Sequence, residues 1–308
     1  MNRIPYFDGH CDTVYRCITT GEHMDRNGGH IALNRLDGFS NYAQIFTMFW
    51  SAKEPTRDGM FGMLNRQHDL FLREVEQNGD QITHCRTASE IEAAWAAGKT
   101  AAVLSIEGGD LVDCDPERLE LVQSWGVRLL NPTWNCANVL SGSHCEDPDR
   151  GLSDQGREFV REAQRLGIYL DVSHLSRPGF WNLIDMTEKP IVASHSNSTT
   201  IFPHSRGLDD DQFRLLSETG GVVGMNFYSD FIGEKPKIDD LVRHIEHFLD
   251  LGGEKTVALG GDLDGCETTV AGIDGVQDVP RLWQALKDRG YPQNLLEDIF
   301  FRNWLRLM

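Results

Sequence analysis

Long hydrophobic runs are missing from this sequence. No stretch approaches the ~20 apolar residues that a membrane-spanning helix requires. The first residues, MNRIPYFDGH, carry neither a basic lead nor the apolar core of a signal peptide. The expectation is a cytoplasmic protein with no membrane partner. Basic charge is scarce as well: 29 Lys and Arg stand against 47 Asp and Glu, a formal net charge of -18. Nucleic acid and anionic lipid are recognised by clustered cations, so this balance argues against both as partners. Cysteine pairing is also absent. The seven cysteines (Cys11, Cys17, Cys85, Cys114, Cys136, Cys145 and Cys266) are odd in number, scattered, and never spaced as CxxC. That argues against a disulfide framework and against a thiolate zinc site, and fits free thiols in a reducing compartment. Pro- or Ser-rich linkers and low-complexity tracts are lacking too, which favours a single domain over residues 1–308.

What is present is a rhythm. Eight short apolar runs succeed one another: IPYFDGH, NYAQIFTMFW, TAAVLSIEG, VRLLNPTW, GIYLDVSH, PIVASHS, GGVVGMNF and TVALGGDLDG. Segments of helical character separate them, among them MLNRQHDLFLREVEQ, PERLELVQSW, SDQGREFVREAQRLG, DDQFRLLSETG and IDDLVRHIEHFLDLGG. Strands alternating with helices predict a parallel sheet covered on both faces, and eight of them predict an α/β fold closed as a (β/α)8 barrel. NLLEDIFFRNWLRLM reads as a final amphipathic helix, and its apolar edge is a candidate surface for a homodimer. The segments from Ser51 to Arg86 and from Cys136 to Arg150 exceed minimal connections and are candidate walls or lids.

The chemistry gathers where the runs end. In FDGHCD, alternation puts His10 and Asp12 on one strand face, with Asp8 one step deeper in a supporting place. Taken alone, such a cluster is as readily a hydrogen-bonded strand end as a metal site. Four other runs finish the same way, with Glu107, His174, His195, and the pair Asp262 and Asp264. Barrel enzymes build their sites at the carboxyl ends of the strands. Three histidines and three carboxylates there form a donor set for two divalent ions, and a carboxylate can bridge them. His23, His30, His68, His84, His244 and His247 lie in loops or on helices without partners at ligand spacing; His244 and His247 read as a solvated helix face. His144 and His204 lie in loops within reach of the site and are left open.

FDGHCD, IEGGD, GLSDQGREFVREAQRLGIYLDVSH, ASHS followed by SRGLDDDQ, and GGDLDG, in this order and spacing, resemble the renal (membrane) dipeptidase family of zinc metallopeptidases, from near residue 6 to the end. The resemblance implies an amidohydrolase-like barrel with two Zn2+ ions sharing a hydroxide that cleaves dipeptides, L-Xaa-L-Yaa and also L-Xaa-D-Yaa. It places the first metal on His10 and Asp12, the second on His174 and His195, and Glu107 between them. It makes Asp262 the acid/base carboxylate beside the substrate, Arg206 the group that binds the substrate carboxylate, and Asp264 a support. The family's Thr-His-Asn segment is here Pro-Thr-Trp134-Asn135. The family's carbonyl-polarising histidine is thus a tryptophan with one N–H donor, leaving Trp134, Asn135, Asn138 or the metal for that task. Two other readings compete: a binuclear hydrolase of lactones, cyclic amides or phosphoesters, and a non-catalytic peptide binder.

Overall fold

The computed structural model describes residues 3–308. In chain order the main elements are β1 (Ile4–Cys11), α1 (Thr13–Thr20), β2 (Phe39–Phe49), α2 (Gly59–Gln77), β3 (Ile82–His84), α3 (Ala88–Ala96), β4 (Thr100–Glu107), α4 (Leu119–Ser124) and β5 (Val127–Asn131). Next come α5 (Asp154–Arg165), β6 (Tyr169–Leu170), α6 (Arg177–Ile184), β7 (Val192–Ala193), α7 (Asp210–Glu218), β8 (Val222–Met225), α8 (Ile238–Asp250), β9 (Val257–Leu259) and α9 (Pro280–Asp288). The strands are parallel and ordered β6-β5-β4-β2-β1-β9-β8-β7. A parallel bridge from Asp171 to Val192 joins the two ends of this row, and the Val172 N–H donates to the Val192 carbonyl at 2.8 Å. The result is the expected (β/α)8 barrel.

Every predicted run contains a strand. The ninth, β3, is three residues long and pairs with the first part of β4, below the stretch that β5 occupies. The helices start where their side chains can satisfy the exposed N–H groups. Ser153 caps α5 through the Gly156 N–H, and Asp209 with Gln212 forms a capping box on α7. Phe159, Val160 and Ala163 bury one face of α5.

Two buried clusters divide the interior. The smaller gathers Phe7, Ala43, Ile45, Ala101, Val103, Leu129, Val192, Val222 and Ala258 from seven strands around Trp304. On β4, Ala101 and Val103 share a face with Ser105 and Glu107, because strand side chains alternate. The polar site therefore sits directly above this apolar plug. Trp304 comes from the tail, where α10 (Gln293–Glu297), a π-helical turn over Asp298–Arg302 and α11 (Asn303–Leu305) run continuously. Its indole N–H donates to the Leu259 carbonyl at 2.8 Å, and the ring fills the space that a Cβ on Gly9 would need. The tail is thus not a free amphipathic edge for a dimer: Ile299, Phe300, Trp304 and Leu307 are spent within the chain's own core.

Strict alternation fails on β1. Asp8 pairs with Gln44 but Cys11 pairs with Phe46, three steps against two, a bulge that re-aims the residues beyond it. Asp8 accordingly bonds to the Tyr6 hydroxyl, Gln44 and the Gly261 N–H, whereas His10 turns to Thr47. The face shared by Asp8 and His10 in the sequence is not shared in the fold.

Candidate metal centre

The carboxyl ends of β1, β4, β6, β7 and β9 bring His10, Asp12, Glu107, His174, His195 and Asp262 together, all buried. Their atoms lie close. His10 Nε2 is 3.4 Å from Asp12 Oδ2, 3.8 Å from Glu107 Oε2 and 4.0 Å from Asp262 Oδ1. The other oxygen of Glu107, Oε1, is 2.8 Å from His174 Nε2 and 3.4 Å from His195 Nε2. One carboxylate thus offers one oxygen to each of two groups of donors. His10 with Glu107 and His195, and His10 with Asp12 and Asp262, each gather ligand atoms within 4.8 Å of one another.

Their environment favours a bound cation. His10 Nε2, Asp12 Oδ1 and Glu107 Oε1 are buried without a hydrogen-bond partner, which is costly for a site meant to stay empty of ions. The 2.8 Å approach of His174 to Glu107 does not satisfy Oε1. His174 Nδ1 lies 2.9 Å from Asn135 Oδ1, an acceptor, so the ring proton is spent there and Nε2 presents a lone pair. Burial lowers the tendency of His10 to hold a proton, but Glu107 and Asp12 outweigh it and raise its pKa to about 10. Burial pushes the Glu107 and Asp262 carboxyls up, and burial with the nearby Arg206 guanidinium holds His174 well below the usual imidazole range. Three clustered carboxylates that draw a proton onto one histidine would be better neutralised by metal cations.

Supporting groups hold these side chains in place. Asp262 and Asp264 adopt left-handed backbone conformations, φ +57° and +68°, in the loop after β9. Asn226 donates to Asp262 Oδ2 at 2.9 Å. Asp264 accepts from Thr13 Oγ1 at 2.7 Å and exchanges two bonds with His30, taking its N–H at 2.5 Å and donating its own to Nδ1 at 2.9 Å. A Cβ on Gly265 would crowd Asp12 Oδ2 and Asp262 Oδ1, so glycine here leaves both carboxylates their places. Arg206 is buried: Nη1 donates to Ser196 Oγ at 3.2 Å, and Nη2 lies 3.0 Å from His174 Nε2 and 3.3 Å from the His195 carbonyl.

A cleft of about 410 Å³ opens over the centre. Tyr15, Phe49 and Trp134 line it on one side, with Phe49 and Trp134 ring centroids 4.7 Å apart; Tyr228 and Phe231 also face it. No residue from Ser51 to Arg86 lines it; past a loop over 51–58 that segment folds as α2 and as β3, which pairs with β4, and it is not the expected wall. The Cys136–Arg150 loop does contribute, through His144. Asn135 is tied by its carbonyl to His174 and to His144 Nε2 at 2.8 Å, and Asn138 is consumed by Asp110, Pro132 and the Leu140 N–H. Of the candidates for polarising a carbonyl, Trp134 and Asn135 both line the cleft with side-chain N–H donors uncommitted among the described contacts, Asn135 being held through its oxygen. His204 borders a neighbouring cavity of about 320 Å³ that Arg206 also lines. His244 is not on a solvated face: it is buried, accepting from the Ser198 N–H at 3.1 Å and bonding the Ile232 carbonyl. His247 is paired with Asp210 at 2.8 Å.

The family model for membrane dipeptidase, peptidase family M19, matches residues 1–308. The chain belongs to this family. Membership makes it a metallo-dipeptidase of the metal-dependent barrel type. A dipeptidase of Schizosaccharomyces pombe is 34% identical over 333 residues, spanning 100% of this chain and 81% of that one. A Klebsiella pneumoniae protein encoded in the region 5′ of pqqA is 33% identical over 258 residues, 80% of this chain and 95% of its own. A metallopeptidase from Rhodobacter sphaeroides, solved with a phosphinate mimic of the dipeptide L-Ala-D-Ala, superposes with a TM-score of 0.91 at 28% identity, covering 99% of both chains. No helix among the described residues of this M19 member is long and apolar enough to cross a membrane.

Proposed function

We propose that this M19 chain is a zinc dipeptidase that holds two Zn2+ ions and hydrolyses L-Xaa-L-Yaa and L-Xaa-D-Yaa dipeptides. The observation that carries the two-ion reading is Glu107, whose two oxygens face His10 on one side and His174 with His195 on the other. In this reading His10 and Asp12 complete the first ion and His174 and His195 the second. An imidazole and carboxylate donor set of this kind suits zinc. The Rhodobacter relative's complex with an L-Ala-D-Ala mimic supports acceptance of a D-residue at the C-terminal position.

When bound, the ions supply an acidified water and a Lewis acid for the scissile carbonyl. The protein's part is orientation and proton transfer. Asp262, buried and held at Oδ2 by Asn226, takes the proton released as the carbon–oxygen bond forms. It delivers that proton to the amine as the C–N bond breaks, yielding two amino acids; such a relay contributes about 10²- to 10⁴-fold. Arg206 receives the substrate's terminal carboxylate in a planar, bidentate geometry, which limits cleavage to peptides ending one residue past the cut. Trp134 places its indole edge in the cleft, and Asn135 fixes the ring of His174 from behind. The residues for both ions and for proton transfer come from β1 through the loop after β9, so the chain acts as one catalytic unit. Seven free cysteines fit a reducing, cytoplasmic setting.

The test is amino-acid release from a library of L-Xaa-L-Yaa and L-Xaa-D-Yaa dipeptides by the zinc-loaded protein, with His174→Ala and Arg206→Ala beside it. Zinc-dependent cleavage that His174→Ala abolishes is expected, with Arg206→Ala raising KM. Silence on every dipeptide by a protein holding two ions would refute the proposal and turn attention to a lactone, a cyclic amide or peptide binding alone.

A further inference from the structure

Beneath His195 lie three buried polar residues for which the proposed reaction has no use: Asp171, Ser173 and Ser194. Their hydrogen bonds form a line. Asp171 Oδ1 is 2.7 Å from Ser173 Oγ, Ser173 Oγ is 3.4 Å from Ser194 Oγ, and Ser194 Oγ is 2.7 Å from His195 Nδ1. The direction of every bond in this line is set by the one group that can only accept. The carboxylate of Asp171 also takes the N–H groups of Ser173 and Ser194, each at 3.0 Å, so it draws the Ser173 hydroxyl proton toward itself. Ser173 oxygen is then an acceptor, for the His195 N–H at 3.2 Å and for the Ser194 hydroxyl. Ser194, its proton committed, accepts from His195 Nδ1.

We infer that Asp171, acting through Ser173 and Ser194, is a positioning residue that keeps the proton of His195 on Nδ1 and its lone pair on Nε2. The inference rests on the two-ion reading above, because that lone pair faces Glu107 Oε1 and His174 Nε2, at 3.4 Å and 3.1 Å, where the second ion would be held. Reversed, the line would have Ser194 donate to Nδ1, forcing the proton onto Nε2 and blocking it as a ligand. The carboxylate at the far end makes reversal unfavourable. Ser194, its proton committed to Ser173, also lies 3.5 Å from His10 Nδ1, where it is placed to accept as well. Partners that orient a metal-bound histidine from behind typically change metal affinity 10- to 100-fold when removed.

The experiment measures Zn2+ affinity of the full-length chain by competition with a chromophoric chelator, and the absorption spectrum of the Co2+-loaded chain. Wild type is compared with Ser194→Ala, Ser173→Ala and the double variant. Each single variant is expected to bind the second ion about 10- to 100-fold more weakly and to alter the cobalt bands, with an unchanged circular dichroism spectrum. Because either change already cuts the line, the double variant should be no worse than Ser194→Ala alone. Unchanged affinity, or losses that multiply in the double variant, overturns the inference while leaving the dipeptidase reading intact. A wild type that takes up no second ion overturns both. Asp171→Ala is the weaker probe, since Asp171 also ties β6 to β7, and the serine variants decide without it.

Discussion

Replacing Trp304 by alanine tests whether the tail builds the barrel core. The ring is fully buried against Gly9 and among the apolar side chains of the strands, so its removal leaves a hole that the surrounding strands cannot close. Large aromatic-to-alanine changes of this kind cost about 3–5 kcal/mol. The Leu259 carbonyl also loses its indole donor, and a buried acceptor left bare costs about 1–3 kcal/mol. The two contributions overlap, and a total near 4 kcal/mol is a fair expectation; at roughly 2 °C per kcal/mol for a chain of this size the melting temperature falls by about 8 °C. Trp304→Phe keeps most of the apolar volume and loses the N–H, so it should fall by less than half as much. The assay is thermal unfolding followed by circular dichroism, with metal content measured at low temperature. Metal content should be unchanged, because the indole meets Gly9 from the side opposite the polar cluster. An alanine variant that melts within about 2 °C of wild type would show that the tail is not the plug described above.

Asp262→Asn should lower kcat by about 10²- to 10⁴-fold with little change in KM or metal content, which single-substrate kinetics and metal analysis would show; an equal fall in bound metal would make Asp262 a ligand instead. His244, whose pKa burial lowers to about 4 from an ordinary 6.5, gives the fold a pH dependence of known sign. Its contribution is complete above pH ~6.5 and is lost as the pH falls toward 4, because the unfolded chain takes up a proton that the folded one refuses. In chelator, the urea midpoint of wild type should drop across that window, and His244→Gln should flatten the drop; parallel curves would remove His244 as its source.

Much of this is legible in the sequence because the responsible groups stand directly after apolar runs. His10 and Glu107 lie in the last residues of their strands and His174, His195 and Asp262 follow theirs, all in runs whose apolar content is unmistakable, and the barrel brings such positions together. What escapes has physical causes. The bulge on β1 inserts an extra residue, so alternation misassigns Asp8. His244 reads as solvated, although Leu241, Ile245 and Phe248 surround it at helical spacing and mark the buried stripe it belongs to. Loop length points to the Ser51–Arg86 segment, whereas the cleft walls come from single aromatic residues near strand ends. The hydroxyl line from Asp171 leaves no pattern in the sequence, since serine between strand and histidine is common and its meaning lies in partners 21 to 23 positions away.

The barrel is not equally tight around its circumference. β1, β2 and β4 run side by side over many residues, whereas β6 and β7 are two residues each and meet through the Asp171–Val192 bridge and the Val172 N–H. His174 stands just beyond one lip of this seam and His195 beyond the other. In the proposed two-ion reading, an ion gripped by both imidazoles would be a clasp as well as a reagent, fastening the two edges where the backbone fastens them least. Catalysis and closure of the ring would then draw on the same bond, and losing the ion would loosen the wall at its thinnest place.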